Sequence, residues 1–128
     1  MSTLLEVSQL SAGYGDVQIL WDVSLRVGDG ESVAVLGANG VGKSTLLKTM
    51  AGLLRPFRGR IRWRNQDITP ADPAARVRLG MSLVPEGKRL FVGMTVRENL
   101  LMGAFARRNG VEVRRDLERV LILFPALR

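Results

Sequence analysis

Eight consecutive residues, Gly37-Ala38-Asn39-Gly40-Val41-Gly42-Lys43-Ser44, fit the pattern G-x-x-x-x-G-K-[ST]. Each residue type has a physical reason to be there. Glycines allow the tight, partly left-handed backbone that turns successive N–H groups inward as an anion-binding concavity. A helix that begins at the end of the loop adds the partial positive charge of its N-terminus. Lys43 carries a point charge able to reach terminal phosphates, and the Ser44 hydroxyl can ligate Mg²⁺. The expected chemistry is therefore the binding of a nucleoside triphosphate with its magnesium ion. A chance glycine-rich turn would satisfy the spelling alone, but here the flanking segments also have the right character.

Those flanks are what must hold the loop. Ser32 to Leu36 is a short apolar, β-branched run and predicts a buried parallel strand. Downstream, Leu46, Met50, Leu53 and Leu54 share one face of a 3.6-residue period, which predicts an amphipathic helix ended by Arg55 to Gly59. Leu4 to Leu10 and Val17 to Val27 read as strands joined by a turn over Gly13 to Asp16. Arg60 to Arg64 predicts a strand with Ile61 and Trp63 on one face and three solvated arginines on the other. A short helix is expected over Pro73 to Leu79, with Asp72 as N-cap and Pro73 at its first position. Met81 to Val84 predicts another strand. Thr95 and Glu98 form a capping box, opening a helix from Val96 to about Ala106. A last helix places Val113, Leu117, Val120, Leu121 and Phe124 on one stripe, with Arg114–Glu118 and Asp116–Arg119 as surface pairs. Nothing downstream is left to cover that stripe, so the chain is expected to be truncated.

Composition narrows the chemistry. The 128 residues, 46% hydrophobic, suit a globular domain with a modest core. With no histidine and no cysteine, Ser–His–Asp and Cys–His catalysis and His/Cys metal sites are excluded. The N-terminus has no basic segment of a secretory signal, and no apolar run is long enough to span a bilayer, so a cytoplasmic protein is expected. The net charge of +7 is uneven: three basic against five acidic residues up to Leu54, sixteen against seven beyond. A basic second half invites a nucleic-acid reading, but interleaved aromatics and a recognisable reading module are both missing. No nucleic acid is expected.

The six aspartates offer no Asp-x-x-Gly, which argues against a GTPase. Leu36-Gly37-Ala38-Asn39-Gly40-Val41-Gly42-Lys43-Ser44-Thr45-Leu46-Leu47 instead resembles the Walker A segment of ATP-binding-cassette (ABC) ATPases. Tyr14 sits where that family places an aromatic that stacks on adenine; the alternative is a turn aromatic packed on the sheet edge. Val84-Pro85-Glu86-Gly87-Lys88-Arg89-Leu90-Phe91, followed by Met94 to Leu100, is similar to a stretch of branched-chain amino-acid transporter ATP-binding subunits. Glu86 falls at the Q-loop position, where the resemblance implies a role near Mg²⁺ and the attacking water; otherwise it is a loop carboxylate.

The resemblance implies an α/β fold: a P-loop NTPase core with an antiparallel N-terminal β-subdomain over residues 1–85, and the beginning of a helical subdomain over 86–128. It implies ATP and Mg²⁺ as cofactors, held by Tyr14, Gly37, Asn39, Gly40, Gly42, Lys43, Ser44 and Thr45, with Ser44 on the metal. It also implies a second ABC ATPase subunit across the ATP, and permease subunits holding the protein on the inner face of the cell membrane. The family's Leu-Ser-Gly-Gly-Gln signature, Walker B carboxylates and switch histidine do not occur in this sequence. ATP turnover by this chain alone is therefore not expected. A non-hydrolysing nucleotide-binding fragment and a basic nucleic-acid-binding domain are the rival readings.

Overall fold

The computed structural model describes residues 2–128 except Asn39 and Lys88. Residues 1–83 and 84–128 form two compact units.

In the first unit a hairpin pairs β1 (Thr3–Tyr14) with β2 (Val17–Gly28), antiparallel. Pairing continues to Tyr14 opposite Val17, so the expected four-residue turn shrinks to Gly15-Asp16. β3 (Arg58–Trp63) lies on the other side of β1, and β4 (Gln66–Asp67) closes the order β2-β1-β3-β4. The turn from β3 to β4 uses Arg64 and Asn65 at φ 49° and 66°, the doubly left-handed geometry that suits a two-residue hairpin. Strand periodicity alone would put Val7 and Leu10 on opposite faces, yet both are buried. The register of β1 slips between them, with Gln9 at φ 49°, and this bulge returns Leu10 to the core.

One face of the sheet carries Val7, Leu10, Ala12 and Ile61, and α1 (Lys43–Ala51) covers it with Leu46 and Met50. Each of these side chains other than Ala12 contributes roughly 1.5–3 kcal/mol of transfer free energy. The opposite face of β3 exposes Arg60 and Arg62, as the alternation predicts. α1 ends about one turn earlier than the run of leucines suggests. Gly52 takes φ 88°, its N–H and that of Leu53 bond back to Thr49 and Lys48 carbonyls, and Leu53 is left exposed. That is a Schellman cap, and glycine is required by its left-handed position. α2 (Pro73–Arg78) starts as expected, with the Asp72 carboxylate accepting from the Ala75 N–H at 2.8 Å.

Two expected strands are absent. Ser32 to Leu36 and Met81 to Val84 form no ladder with any described residue, and Leu36 and Val84 are 89% and 90% exposed. Apolar, β-branched sequence favours extended backbone, but a strand exists only when a neighbour accepts its hydrogen bonds. Among the described residues the four strands pair only with one another.

In the second unit α3 (Val96–Met102) opens with the complete Thr95/Glu98 capping box. It stops before Ala106: from Gly103 to Arg107 the bonds become i→i+3, a tighter turn that ends the α-helical ladder. α4 (Gly110–Leu123) is capped by Asn109, whose Oδ1 accepts from the Val111 and Glu112 N–H groups. Only Leu117 and Leu121 of its stripe are buried; Phe124 is exposed. Asp116 pairs with Arg119 as expected, and also with Arg107 at 2.7 Å. Hydrogen bonding from Arg107 holds its carboxyl below the usual carboxylate range. The expected Arg114–Glu118 pair does not form: Glu118 meets Arg128 at 3.0 Å, and Arg114 Nε donates to the Gly110 carbonyl. No helix among the described residues is long and apolar enough to cross a membrane.

Candidate phosphate-binding site

The glycine-rich loop leads directly into α1, whose first residue is Lys43. Gly42 is the N-cap residue at φ 107°, and a Cβ there would lie 3.0 Å from the Leu20 side chain and 3.1 Å from Ile19. No L-residue adopts that backbone without strain, and the β2 side chains leave it no room. Gly40 is also left-handed, at φ 87°. The first intrahelical bond runs from Leu46 N–H to the Gly42 carbonyl. The N–H groups of Lys43, Ser44 and Thr45 therefore precede the helical ladder, and the first turn carries no acidic residue. A helix start whose first N–H groups have no intrahelical acceptor, and no carboxylate, is suited to an anion.

Lys43 folds back over the loop and donates from Nζ to the Gly37 carbonyl. The two ends of the glycine-rich segment are thus joined by its own lysine. Ser44 is exposed at the helix start, whereas Thr45 is buried. Tyr14, at the end of β1, brings its hydroxyl to 3.4 Å from Thr45 Oγ1, and the residue is 46% exposed. The hairpin and the first turn of α1 therefore place an accessible aromatic face beside the loop. Tyr14, Gly37, Gly40, Gly42, Lys43, Ser44 and Thr45 all lie in the first unit. Asn39 falls outside the described residues. Glu86 occupies an exposed bend in the second unit.

Sequence reasoning passed over Arg76. Its side chain is 2% exposed, yet it faces only backbone carbonyls: Nε donates to Ala71 at 3.0 Å, one terminal nitrogen to Thr49 and Met50 at 3.0 and 2.8 Å, the other to Thr69 at 3.0 Å. Burial lowers the guanidinium's pKa. The partners at Thr49 and Met50 are end carbonyls of α1, where the helix dipole is negative. No sequence signal marks this arginine, since Ala-Ala-Arg-Val on a short helix reads as a surface position.

A family profile described as ABC transporter matches residues 20–126. The chain is 40% identical over 126 residues to the "High-affinity branched-chain amino acid transport ATP-binding protein BraG" of Pseudomonas aeruginosa, covering 98% of this chain and 53% of that protein. It is 36% identical over 125 residues to the "Probable branched-chain amino acid transport ATP-binding protein LivF" of Archaeoglobus fulgidus, covering 98% and 52%. A ribose import ATP-binding protein of Rhizobium meliloti is also 36% identical over 124 residues, covering 93% of this chain and 24% of that one. A solved structure titled "Structure of ATP binding subunit of ABC transporter" superposes with a TM-score of 0.84 at 36% identity, over 95% of this chain and 50% of that one. The chain thus spans about half the length of the first two relatives. With the glycine-rich loop at the head of α1 and the profile covering residues 20–126, the chain belongs to the ABC transporter family and has the α/β fold of part of an ABC ATPase domain.

Proposed function

We propose that this chain binds Mg–ATP as the nucleotide-cradling part of an ABC importer's ATP-binding component. The observation that carries this reading is the loop from Gly37 to Thr45 seated on the N-terminus of α1, with Lys43 at the first helical position. The donors fit the ligand: N–H groups ahead of the helical ladder and an ammonium for the phosphates, and an exposed Ser44 hydroxyl for the metal. Magnesium, when bound, supplies charge neutralisation between the phosphate oxygens. To take the phosphates, Lys43 exchanges the Gly37 carbonyl for phosphate oxygen, a stronger charge-assisted partner. Tyr14 stacks on the adenine. Glu86 is assigned to the Q-loop position, and the chain divides into a nucleotide-binding core over 1–85 and the start of a helical subdomain over 86–128.

Branched-chain amino acids are the proposed cargo, on the strength of the Val84–Leu100 stretch and of the relatives' names. Sugar-import relatives of similar identity make that the finer step. The proposed partners are a second ABC ATPase subunit and permease subunits, which would keep the protein peripheral on the cytoplasmic face of the membrane. Because the sequence has no signature motif, Walker B carboxylates or histidine, this chain alone should bind without turnover. Phosphate release at saturating Mg–ATP is expected to stay at background, and clear turnover would overturn that assignment.

Adenine stacking has its own test. Tyr14→Ala should weaken ATP by roughly 1 kcal/mol more than it weakens tripolyphosphate, since only ATP has a base to stack. Equal losses by calorimetry would make Tyr14 a structural residue.

A further inference from the structure

Among the described residues, buried polar side chains are few: Ser11, Thr45, Thr49 and Arg76. Three of the four lie on one hydrogen-bonded column along the inner face of α1. Arg76 donates to the Thr49 carbonyl at 3.0 Å. The Thr49 hydroxyl, itself 0% exposed, donates to the Thr45 carbonyl at 2.7 Å. The Thr45 hydroxyl meets the Tyr14 hydroxyl at 3.4 Å. Residues 45 and 49 are one helical turn apart, so the column runs straight from the last turn of α1 to its first. A valine would fill the Thr49 site with the same shape and no polar atom to satisfy. Burying polar groups in that place is costly unless each is partnered, and here each is.

We propose that Arg76 is a positioning residue for the nucleotide site, acting through Thr49 and Thr45 on the phosphate-loop end of α1 and on the Tyr14 ring. This rests on reading the loop as the nucleotide site. The guanidinium grips both the end of α1 and the Thr69–Ala71 segment, so it sets how far α1 sits along the sheet. The threonines carry that setting to the helix start. Tyr14, bonded at the far end, then holds its ring at a fixed height over the loop.

Tyr14 is the chain's single tyrosine, so ring-labelled protein gives one tyrosine ring signal by NMR. The test uses the 128-residue chain without nucleotide first. Thr49→Val should move the Tyr14 ring signal, and Arg76→Lys, which keeps the charge but not the planar fork, should move it in the same direction. Thr49→Val should also weaken Mg–ATP by roughly fivefold, the equivalent of one neutral hydrogen bond. Val7→Ala, a core truncation on β1 outside the column, should lower the melting temperature and leave both readouts unchanged. A Tyr14 signal that ignores Thr49→Val, or that responds equally to Val7→Ala, overturns the proposal. If the wild-type chain binds no ATP, the nucleotide reading fails, and the ring signal alone still upholds or overturns the column.

Discussion

Lys43→Ala should abolish measurable ATP binding by calorimetry while leaving the melting temperature nearly unchanged. The lost contact is a charge-assisted one worth roughly 1.5–3 kcal/mol, or about 10- to 150-fold in affinity. The stability of the fold should survive, because among the described residues Lys43 Nζ reaches only the Gly37 carbonyl, and the side chain is half-exposed, outside the core formed by Val7, Leu10, Leu46 and Ile61. The separation of these two effects is what makes the variant informative. If affinity is unchanged, Lys43 serves only to close its own loop and the phosphate assignment falls. If melting drops sharply along with affinity, the loop closure itself holds α1 in place.

The second large effect is expected at Arg76. Arg76→Ala removes the guanidinium from four backbone carbonyls at once, those of Ala71, Thr49, Met50 and Thr69, of which Thr49 keeps the Gly52 N–H at 3.2 Å. Each buried acceptor left without a partner costs about 1–3 kcal/mol. Water can repair some of that loss, because a cavity of about 240 Å³ lies against Arg76, lined in part by Gly52, Leu54 and Thr69. A net loss of about 3 kcal/mol follows, lowering the melting temperature by roughly 10 °C. Arg76→Lys should recover only part of it, since an ammonium cannot span the four carbonyls that the fork reaches. Melting of Arg76→Ala within about 2 °C of wild type, against that expected loss, would show that the four carbonyls are satisfied without it. Gly52 reports on the same contact from the other side: a Cβ added there would lie 2.9 Å from Arg76 Nε.

The two unpaired extended segments bear on how this chain relates to its longer relatives. Ser32 to Leu36 leads into the phosphate loop, and Met81 to Val84 leads into the second unit. Both are apolar and both expose that character, with Leu36 and Val84 almost fully accessible. Parallel strands are ordinarily flanked by neighbours and covered on both faces. Exposed strand edges with apolar side chains favour association, so the isolated chain should aggregate at concentrations where a longer relative stays dispersed. Light scattering of the two at equal molarity checks this; equal dispersity would show that the segments are protected some other way.

Local signals determined the starts of elements. The Thr95/Glu98 box, Asp72 ahead of Pro73, and the hairpin around Gly15 each depend on bonds between residues two to four apart, and such bonds are written in adjacent letters. The glycine-lysine pattern likewise specified, without tertiary help, which residues stand at the head of α1. What distance in sequence hides, tertiary structure decided. The ends of α1 and α3 were set by Gly52 and Gly103, where left-handed or tightened turns compete with a periodicity that runs on past them. The bulge at Gln9 returned Leu10 to the core against simple alternation. Whether Ser32 to Leu36 became a strand depended on a pairing partner, which no property of its own residues can supply. Arg76 is the extreme case. Its letter is that of a surface residue, and only the meeting of α1, the Thr69–Ala71 segment and α2 surrounds it with the four carbonyls that make a buried charge tolerable.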